Sequence, residues 1–158
     1  MFRKVRKIKN EIESKDCYKL LSENKRGVIS FNGENNYPYS IPINYYYNED
    51  ENRLYFHCGK KGYKIDCINN DNKACFVTYG NEILSEDAWS YCVSSVVIFG
   101  KTKIIEDRDI ILKNIKKFAM KYYPNEKEAD EEIKEGINAV SMFVLDIDHI
   151  SGKRVREK

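Results

Sequence analysis

Apolar residues recur along the chain with two different spacings, and each spacing predicts one kind of element. Short apolar or alternating runs between polar turn residues are typical of strands, whereas apolar residues three or four positions apart are typical of helices. Strands are predicted at residues 27–31, 37–47, 54–57, 74–79, 93–105 and 140–147. Helices are predicted at residues 14–23, about 61–70, about 107–122 and 126–135.

The order of these elements is too irregular for repeated strand–helix–strand units. It predicts a mainly β fold, a small six-stranded antiparallel barrel with peripheral helices. Asn32-Gly33 predicts a tight turn after the first strand, because both residues tolerate a positive φ. Residues 1–9 carry five basic side chains and are expected to form a flexible arm.

Length and charge narrow the classes of protein that this barrel can represent. The 158 residues suit one domain, 1–158, and 27 Lys and Arg against 25 Asp and Glu give a net charge of +2. This balance argues against a nucleic-acid binder. The longest apolar run, residues 96–99, is far too short to cross a membrane, and no apolar signal core follows the basic start. A cytoplasmic protein is therefore expected.

The cysteines and histidines match no familiar catalytic or metal-binding pattern. Five cysteines are widely spaced, odd in number and never arranged as C-x-x-C, so neither a disulfide framework nor a metal site is expected. No Ser-His-Asp or H-E-x-x-H arrangement stands out. A hydrolase or a metalloenzyme is accordingly disfavoured.

The segment from His57 to Lys64 carries the most chemical information. A strand ends there, glycines and lysines follow, and a helix begins, so free backbone N–H groups and cations meet at one point. This pattern suits a phosphate, but it also suits an ordinary basic turn. His57 allows two interpretations as well, a ligand-positioning or proton-exchanging group and a polar strand end. The three tyrosines at 45–47 suit a barrel wall or subunit interface, or the border of a flat ligand.

Four segments taken together resemble one known family. They are 37–45 (YPYSIPINY), 54–64 (LYFHCGKKGYK), 94–101 (SSVVIFGK) and 149–153 (HISGK). In this order they resemble the pyridoxamine 5′-phosphate oxidase-like flavoproteins, and most closely the nitroimidazole-resistance (Nim-like) subfamily. The resemblance spans about residues 10–154. It implies an FMN-binding split β-barrel, normally a homodimer that holds the flavin between its subunits.

The resemblance also implies a set of cofactor-binding residues. The basic turn would meet the flavin phosphate, the second strand would border the ring system, and the third strand would end beside the ribityl chain. His57 matches a position beside the reacting ring, which makes it the candidate catalytic residue. The implied FMN-binding residues are Ile41, Pro42, Ile43, Asn44, Phe56, His57, Lys61, Tyr63, Lys64 and Ser95.

Departures from the family pattern shape the functional hypothesis. Ile41 and Tyr46 stand where true pyridoxamine phosphate oxidases carry an Arg and a Lys, and the Trp-containing, Arg-rich ending is missing. Pyridoxal phosphate synthesis is therefore not expected, and a deazaflavin or haem remains an alternative cofactor. The first hypothesis is an FMN-dependent reductase that passes electrons from a reduced donor to a small molecule such as a nitroaromatic. Its rivals are a non-catalytic flavin or ligand-binding protein and a nucleic-acid-associated protein that uses the basic arm.

Overall fold

The computed structural model describes residues 1–157 and contains eight strands. They are β1 (Arg26–Asn32), β2 (Pro38–Asn44), β3 (Tyr46–Asn48), β4 (Arg53–Gly59), β5 (Lys73–Tyr79), β6 (Ile83–Leu84), β7 (Tyr91–Ile105) and β8 (Val140–Glu157). They form one antiparallel sheet in the order β2-β1-β5-β7-β8-β4-β3, with β6 paired to β7. The sheet curls until β2 approaches β4. No ladder joins these two strands within residues 1–157, so the barrel is split between them.

The mainly β, antiparallel split barrel is confirmed, but the strand count is eight rather than six. The predicted strand 37–47 breaks at Tyr45, where the chain leaves β1 and joins β4. Tyr45 is completely buried, and its hydroxyl donates to the Leu21 carbonyl at 2.7 Å. Its backbone N–H donates both to the Tyr122 hydroxyl at 2.9 Å and to the Lys25 carbonyl oxygen at 3.4 Å. Tyr45 thus carries the chain across the split.

The last strand is much longer than its hydrophobic alternation predicts. β8 continues beyond residue 147 through the polar segment 149–153 and pairs with β7 as far as Glu157. A register shift between Phe99 and Gly100 interrupts this pairing. The short β6 is also absent from the prediction, because both of its side chains are exposed.

Four helices surround the sheet close to the predicted positions. They are α1 (Ser14–Glu23), α2 (Tyr63–Asn70), α3 (Arg108–Tyr122) and α4 (Glu126–Gly136). Asp107 caps α3 by accepting hydrogen bonds from the backbone N–H groups of Asp109 and Ile110. Asn125 caps α4 in the same way through Glu128. A 3₁₀ turn at Ile8–Asn10 lies at the end of the predicted arm.

The predicted tight turn at Asn32-Gly33 differs in its details. The connection contains a 3₁₀ turn at Glu34–Asn36, and the positive φ angles belong to Asn35 (56°) and Asn36 (62°). Gly33 has a φ of −97°. The residues in the left-handed region are therefore three positions later than predicted.

Two hydrophobic clusters occupy opposite faces of the curled sheet. The inner cluster fills the barrel with residues such as Ile29, Phe76 and Ile98, and α1 and α2 pack against it. The outer cluster lies where α3 covers β4 and β8, and Phe118 is one of its buried members. The remaining outer surface of β1, β5 and β7 has no helix over it in the described residues, and it exposes 38% of Val28.

None of the four helices is long and apolar enough to span a membrane in the described part of the chain. All five cysteines are free thiols. Within residues 1–157 no group of three or more His, Cys, Asp or Glu side chains is placed to hold a metal ion.

Candidate functional site

A cleft of about 730 Å³ opens at the split of the barrel. Strand β2 has β1 as its only partner in the described residues, and residues 56–59 of β4 pair only with β8. Both sides of the cleft therefore present backbone N–H and C=O groups that no neighbouring strand occupies. The lining residues are Arg26, Pro42, Ile43, Asn44, His57, Cys58, Gly59, Lys64, Ala139 and Val140.

Two cations face this cleft from different elements. Arg26 comes from the start of β1, and its Nε donates to Asn44 Oδ1 at 3.3 Å. Lys64 comes from the first turn of α2, and its half-buried side chain places Nζ 5.7 Å from the centroid of Phe143. The cleft thus combines positive charge with free backbone donors, a combination that attracts anions.

Gly62 sets the direction in which α2 leaves β4. Its φ of 126° is accessible to glycine and strained for other residues. Gly62 precedes α2, and its carbonyl accepts hydrogen bonds from the N–H groups of Ile65 and Asp66. This turn brings Lys64 back toward the strand end that carries His57.

His57 lies on the outer face of β4, between the cleft and α3. Its imidazole packs edge-on against the Phe118 ring, with the centroids 4.9 Å apart. Partial burial, and then the nearby charge of Lys64, lower the pKa of His57 below its usual value of 6.5. The ring is therefore neutral at pH 7 and offers one N–H donor and one nitrogen acceptor.

The structure brings five of the ten predicted cofactor-binding residues to the cleft. These are Pro42, Ile43, Asn44, His57 and Lys64. They come from three elements that are far apart in sequence. Their meeting point depends on the curl of the sheet.

The other five predicted residues lie outside the cleft lining. Phe56 is completely buried in the barrel, where its ring stacks on Phe143 with centroids 4.7 Å apart. Ile41 also packs on the inner cluster. The side chains of both residues face the barrel interior, because neighbouring positions along a strand alternate between its faces.

Tyr63, Lys61 and Ser95 occupy three different surroundings. The Tyr63 hydroxyl accepts a hydrogen bond from the Glu34 N–H at 2.6 Å, so this ring holds the β1–β2 connection. Lys61 is exposed on the loop before α2. Ser95 lies on β7 opposite Tyr79 and is separated from β2 by β1 and β5.

A smaller pocket of about 390 Å³ adjoins the cleft beneath α3 and α4. Asn44, His57 and Val140 line both spaces. The remaining walls of the pocket are mainly apolar. They consist of Ile115, Phe118, Ala119, Tyr122, Tyr123, Glu132, Ile133, Gly136 and Ile137.

Several of these lining residues carry no signal in the sequence. Arg26 reaches the cleft because β1 places it opposite Asn44, and Val140 does so because β8 places it opposite Gly59. Only strand register reveals these positions. The apolar spacing of α3 marks Phe118 as buried, but it does not indicate a pocket.

A buried amine lies near the Tyr45 crossing. Lys121 Nζ is shielded from solvent, has no hydrogen-bond partner among the described residues, and lies 4.3 Å from the centroid of the Tyr45 ring. Burial, and then the charge of Lys25, lower the pKa of Lys121 to about 8. The neighbouring Tyr122 hydroxyl is within hydrogen-bonding distance of the carbonyl oxygens of Lys25 and Tyr45.

The sequence model of the family described as pyridoxamine 5′-phosphate oxidase matches residues 13–154. A comparison with curated protein sequences found no match.

Solved structures share the fold at low sequence identity. A Bacteroides thetaiotaomicron protein assigned to 5-nitroimidazole antibiotic resistance has a TM-score of 0.76 at 19% identity, covering 93% of this chain and 87% of its own. The flavocytochrome Anf3 from Azotobacter vinelandii has a TM-score of 0.74 at 18% identity, covering 96% and 72%. An FAD-binding protein from Mesorhizobium loti has a TM-score of 0.65 at 18% identity, covering 92% and 96%.

Proposed function

Because the chain belongs to the pyridoxamine 5′-phosphate oxidase family, we propose that the cleft at its barrel split binds FMN. We further propose that the protein is a flavoprotein oxidoreductase, which passes electrons from a reduced donor to a small acceptor such as a nitroaromatic. The observation that carries the proposal is the convergence of Pro42–Asn44 backbone, His57 and two cations on one cleft.

The charges in the cleft suit the phosphate of a flavin nucleotide. A phosphate dianion needs cations and N–H donors, and Lys64, Arg26 and the start of α2 provide both. The cleft volume also falls within the range of about 300–1,000 Å³ that is usual for small-molecule sites. The residues that are present therefore fit the group.

The free strand edges suit the ring system of the same molecule. The edge of strand β2 that faces away from β1 presents backbone groups in the stretch 42–44, where Pro42 contributes a carbonyl but no N–H, and these groups suit the polar edge of an isoalloxazine. Pro42 and Val140 add apolar surface for the flat faces of that ring system. Binding through the backbone tolerates the loss of charged side chains from this strand.

The chemistry of the reaction would come from the flavin, which accepts two electrons and passes them on. The chain binds and orients the reactants and supplies His57 next to them. As a neutral imidazole, His57 donates one hydrogen bond to the reacting group, whereas a proton transfer would require its protonated form. Ile41 and Tyr46 carry no charge, so we expect no oxidation of pyridoxamine phosphate.

We also propose that the protein is a homodimer. The outer face of the sheet has no helix over it in the described residues and exposes 38% of Val28 and 67% of Tyr79, together with 40% of Phe99, on which the Phe2 ring stacks. Ser95 lies on β7 beside this surface and far along the sheet from β2. A second copy over this face would cover the apolar side chains and would bring its Ser95 to a cleft that lacks one.

Light scattering tests the dimer. We expect twice the 18.6 kDa mass of the chain at micromolar concentration. Val28→Glu places a charge on an exposed strand position, so it should halve the mass without unfolding the protein. A wild-type monomer contradicts this part of the proposal.

The absorption spectrum of the purified protein and FMN titration of the apoprotein test the cofactor. Replacing Lys64 with Ala removes one charge-assisted contact, which costs about 1.5–3 kcal/mol and weakens FMN binding roughly 10–100-fold. Riboflavin has no phosphate and should bind the wild type and Lys64→Ala equally. Lys60→Ala is the matched control, because Lys60 is exposed on the loop before α2 and lies outside the cleft lining.

The outcomes of these experiments decide separately on the phosphate site, the cofactor and the activity. Equal FMN affinity for the wild type and Lys64→Ala refutes the phosphate site. The bands of a deazaflavin or a haem in the purified protein refute FMN as the cofactor. Tight FMN binding without reduction of any nitroaromatic by NADH or NADPH favours the alternative, a non-catalytic flavin-binding protein.

A further inference from the structure

The pocket beneath α3 and α4 exists because small side chains line part of it. Ala119 on α3 and Gly136 at the end of α4 contribute little bulk, and a Cβ added at Gly136 would meet no atom within 4 Å. Ile133 and Ile137 are only half-buried, although they pack on the outer cluster. Space therefore remains where the two helices would otherwise close over β4.

The walls of this pocket are apolar and aromatic with few charges. Phe118 is nearly fully buried and stacks on Tyr122 with centroids 5.0 Å apart, so a continuous aromatic surface forms one side. Among the described residues that line the pocket, Glu132 is the only Asp, Glu, Lys or Arg. No lysine or arginine lines it. Such a pocket favours uncharged molecules and disfavours anions.

Its position connects it to the cleft. Asn44, His57 and Val140 separate the two spaces and line both. His57 packs against Phe118 on the pocket side, and it meets the charge of Lys64 on the cleft side. A molecule in the pocket would thus lie next to the imidazole and beside whatever occupies the cleft.

We infer that this α3–α4 pocket binds the electron acceptor, and that the acceptor is a small, uncharged aromatic molecule. The inference rests on the proposed function, since it assigns the acceptor site of that reaction. Phe118 and Tyr122 provide the surface against which an aromatic ring packs. Ile133 closes the opposite side, and Glu132 repels anionic analogues.

Isothermal titration calorimetry with two probes of similar shape tests the charge preference. The probes are 4-nitrobenzamide, which is neutral, and 4-nitrobenzoate, which is anionic at pH 7. We expect the amide to bind the purified protein at least about tenfold more tightly, because a carboxylate loses its hydration in the pocket and meets Glu132. Equal binding, or no binding of the amide, overturns the inference.

Pocket-filling variants test the location. Ile133→Trp fills the space from α4, and Gly136→Leu fills it from the open end. If one variant fails to fold, the other still tests the location. Each should weaken 4-nitrobenzamide binding about tenfold or more. Leu112→Trp is the control, because Leu112 is exposed on α3 and is not among the residues lining this pocket. Unchanged amide binding in a folded pocket-filling variant overturns the inference.

FMN titration of the same variants separates this inference from the proposed function. Weakened amide binding with unchanged FMN affinity supports a distinct acceptor pocket. Loss of both ligands together refutes it, since the pocket would then belong to the cofactor site. If the wild type binds the amide in this pocket but binds no FMN, the proposed function fails, and with it the role of acceptor.

Discussion

Replacing Lys121 with Met should stabilise the protein, although the substitution removes a charge from a helix. The Lys121 amine is shielded from solvent without a hydrogen-bond partner in the described residues, and its pKa is lowered from 10.5 to about 8. This lowering of the pKa corresponds to a loss of about 3 kcal/mol in the free energy of unfolding at pH 7, because the folded protein then holds a buried ammonium group. The cation–π contact with the Tyr45 ring offsets about 0.5–2 kcal/mol of this loss. The net expected gain is about 1–3 kcal/mol.

The pH dependence gives this prediction its specific signature. The pKa of Lys121 is lower in the folded protein than in the unfolded chain. The destabilisation by Lys121 therefore has its full value below about pH 8, and it disappears as the pH rises toward 10.5. The advantage of Lys121→Met over the wild type should therefore shrink by about 1 kcal/mol between pH 7 and pH 9. Other titrating groups are common to both proteins and cancel in the difference.

Urea unfolding at pH 7, 8 and 9 measures both quantities. Lys113→Met is the control, since Lys113 is exposed on the same helix and should show no such pH-dependent difference. An advantage of Lys121→Met that stays constant from pH 7 to pH 9 would refute the reasoning. So would a variant that is less stable than the wild type at pH 7, because the amine would then have a favourable partner.

Further predictions concern single positions. Gly100→Ala should cost about 1–3 kcal/mol or more in urea unfolding, because the new Cβ would lie 2.1 Å from the Asp146 carbonyl oxygen. Gly136→Ala, with open space around its Cβ, should be neutral or stabilise by up to about 1 kcal/mol, and equal losses at both glycines would contradict the steric argument. The pKa of His57 is lowered, so its neutral form favours folding above pH 6.5 and this contribution is lost as the pH falls below it. His57→Gln should therefore lose less stability than the wild type between pH 7 and pH 5, and parallel pH profiles in urea unfolding would contradict this.

Much of the architecture could be predicted from local pattern. The helices α1, α3 and α4 begin and end within about two residues of the predicted bounds, because apolar spacing, the Asp107 cap and Pro124 act locally. The sequence also predicts the buried centre of β7 and the alternation at the start of β8. It does not predict the polar end of β8, because these residues are held by pairing to β7 rather than by burial of their own side chains.

The cleft and the α3–α4 pocket depend on the tertiary structure. Hydrophobic periodicity states which side of a strand is buried, and it correctly marked the segment around His57 as a strand end followed by a basic turn. It says nothing about which distant strand will lie alongside. Arg26, Val140 and the walls of the α3–α4 pocket reach the site through register, the curl of the sheet and the crossing at Tyr45. These are decided by contacts between residues far apart in sequence, so no local pattern encodes them separately.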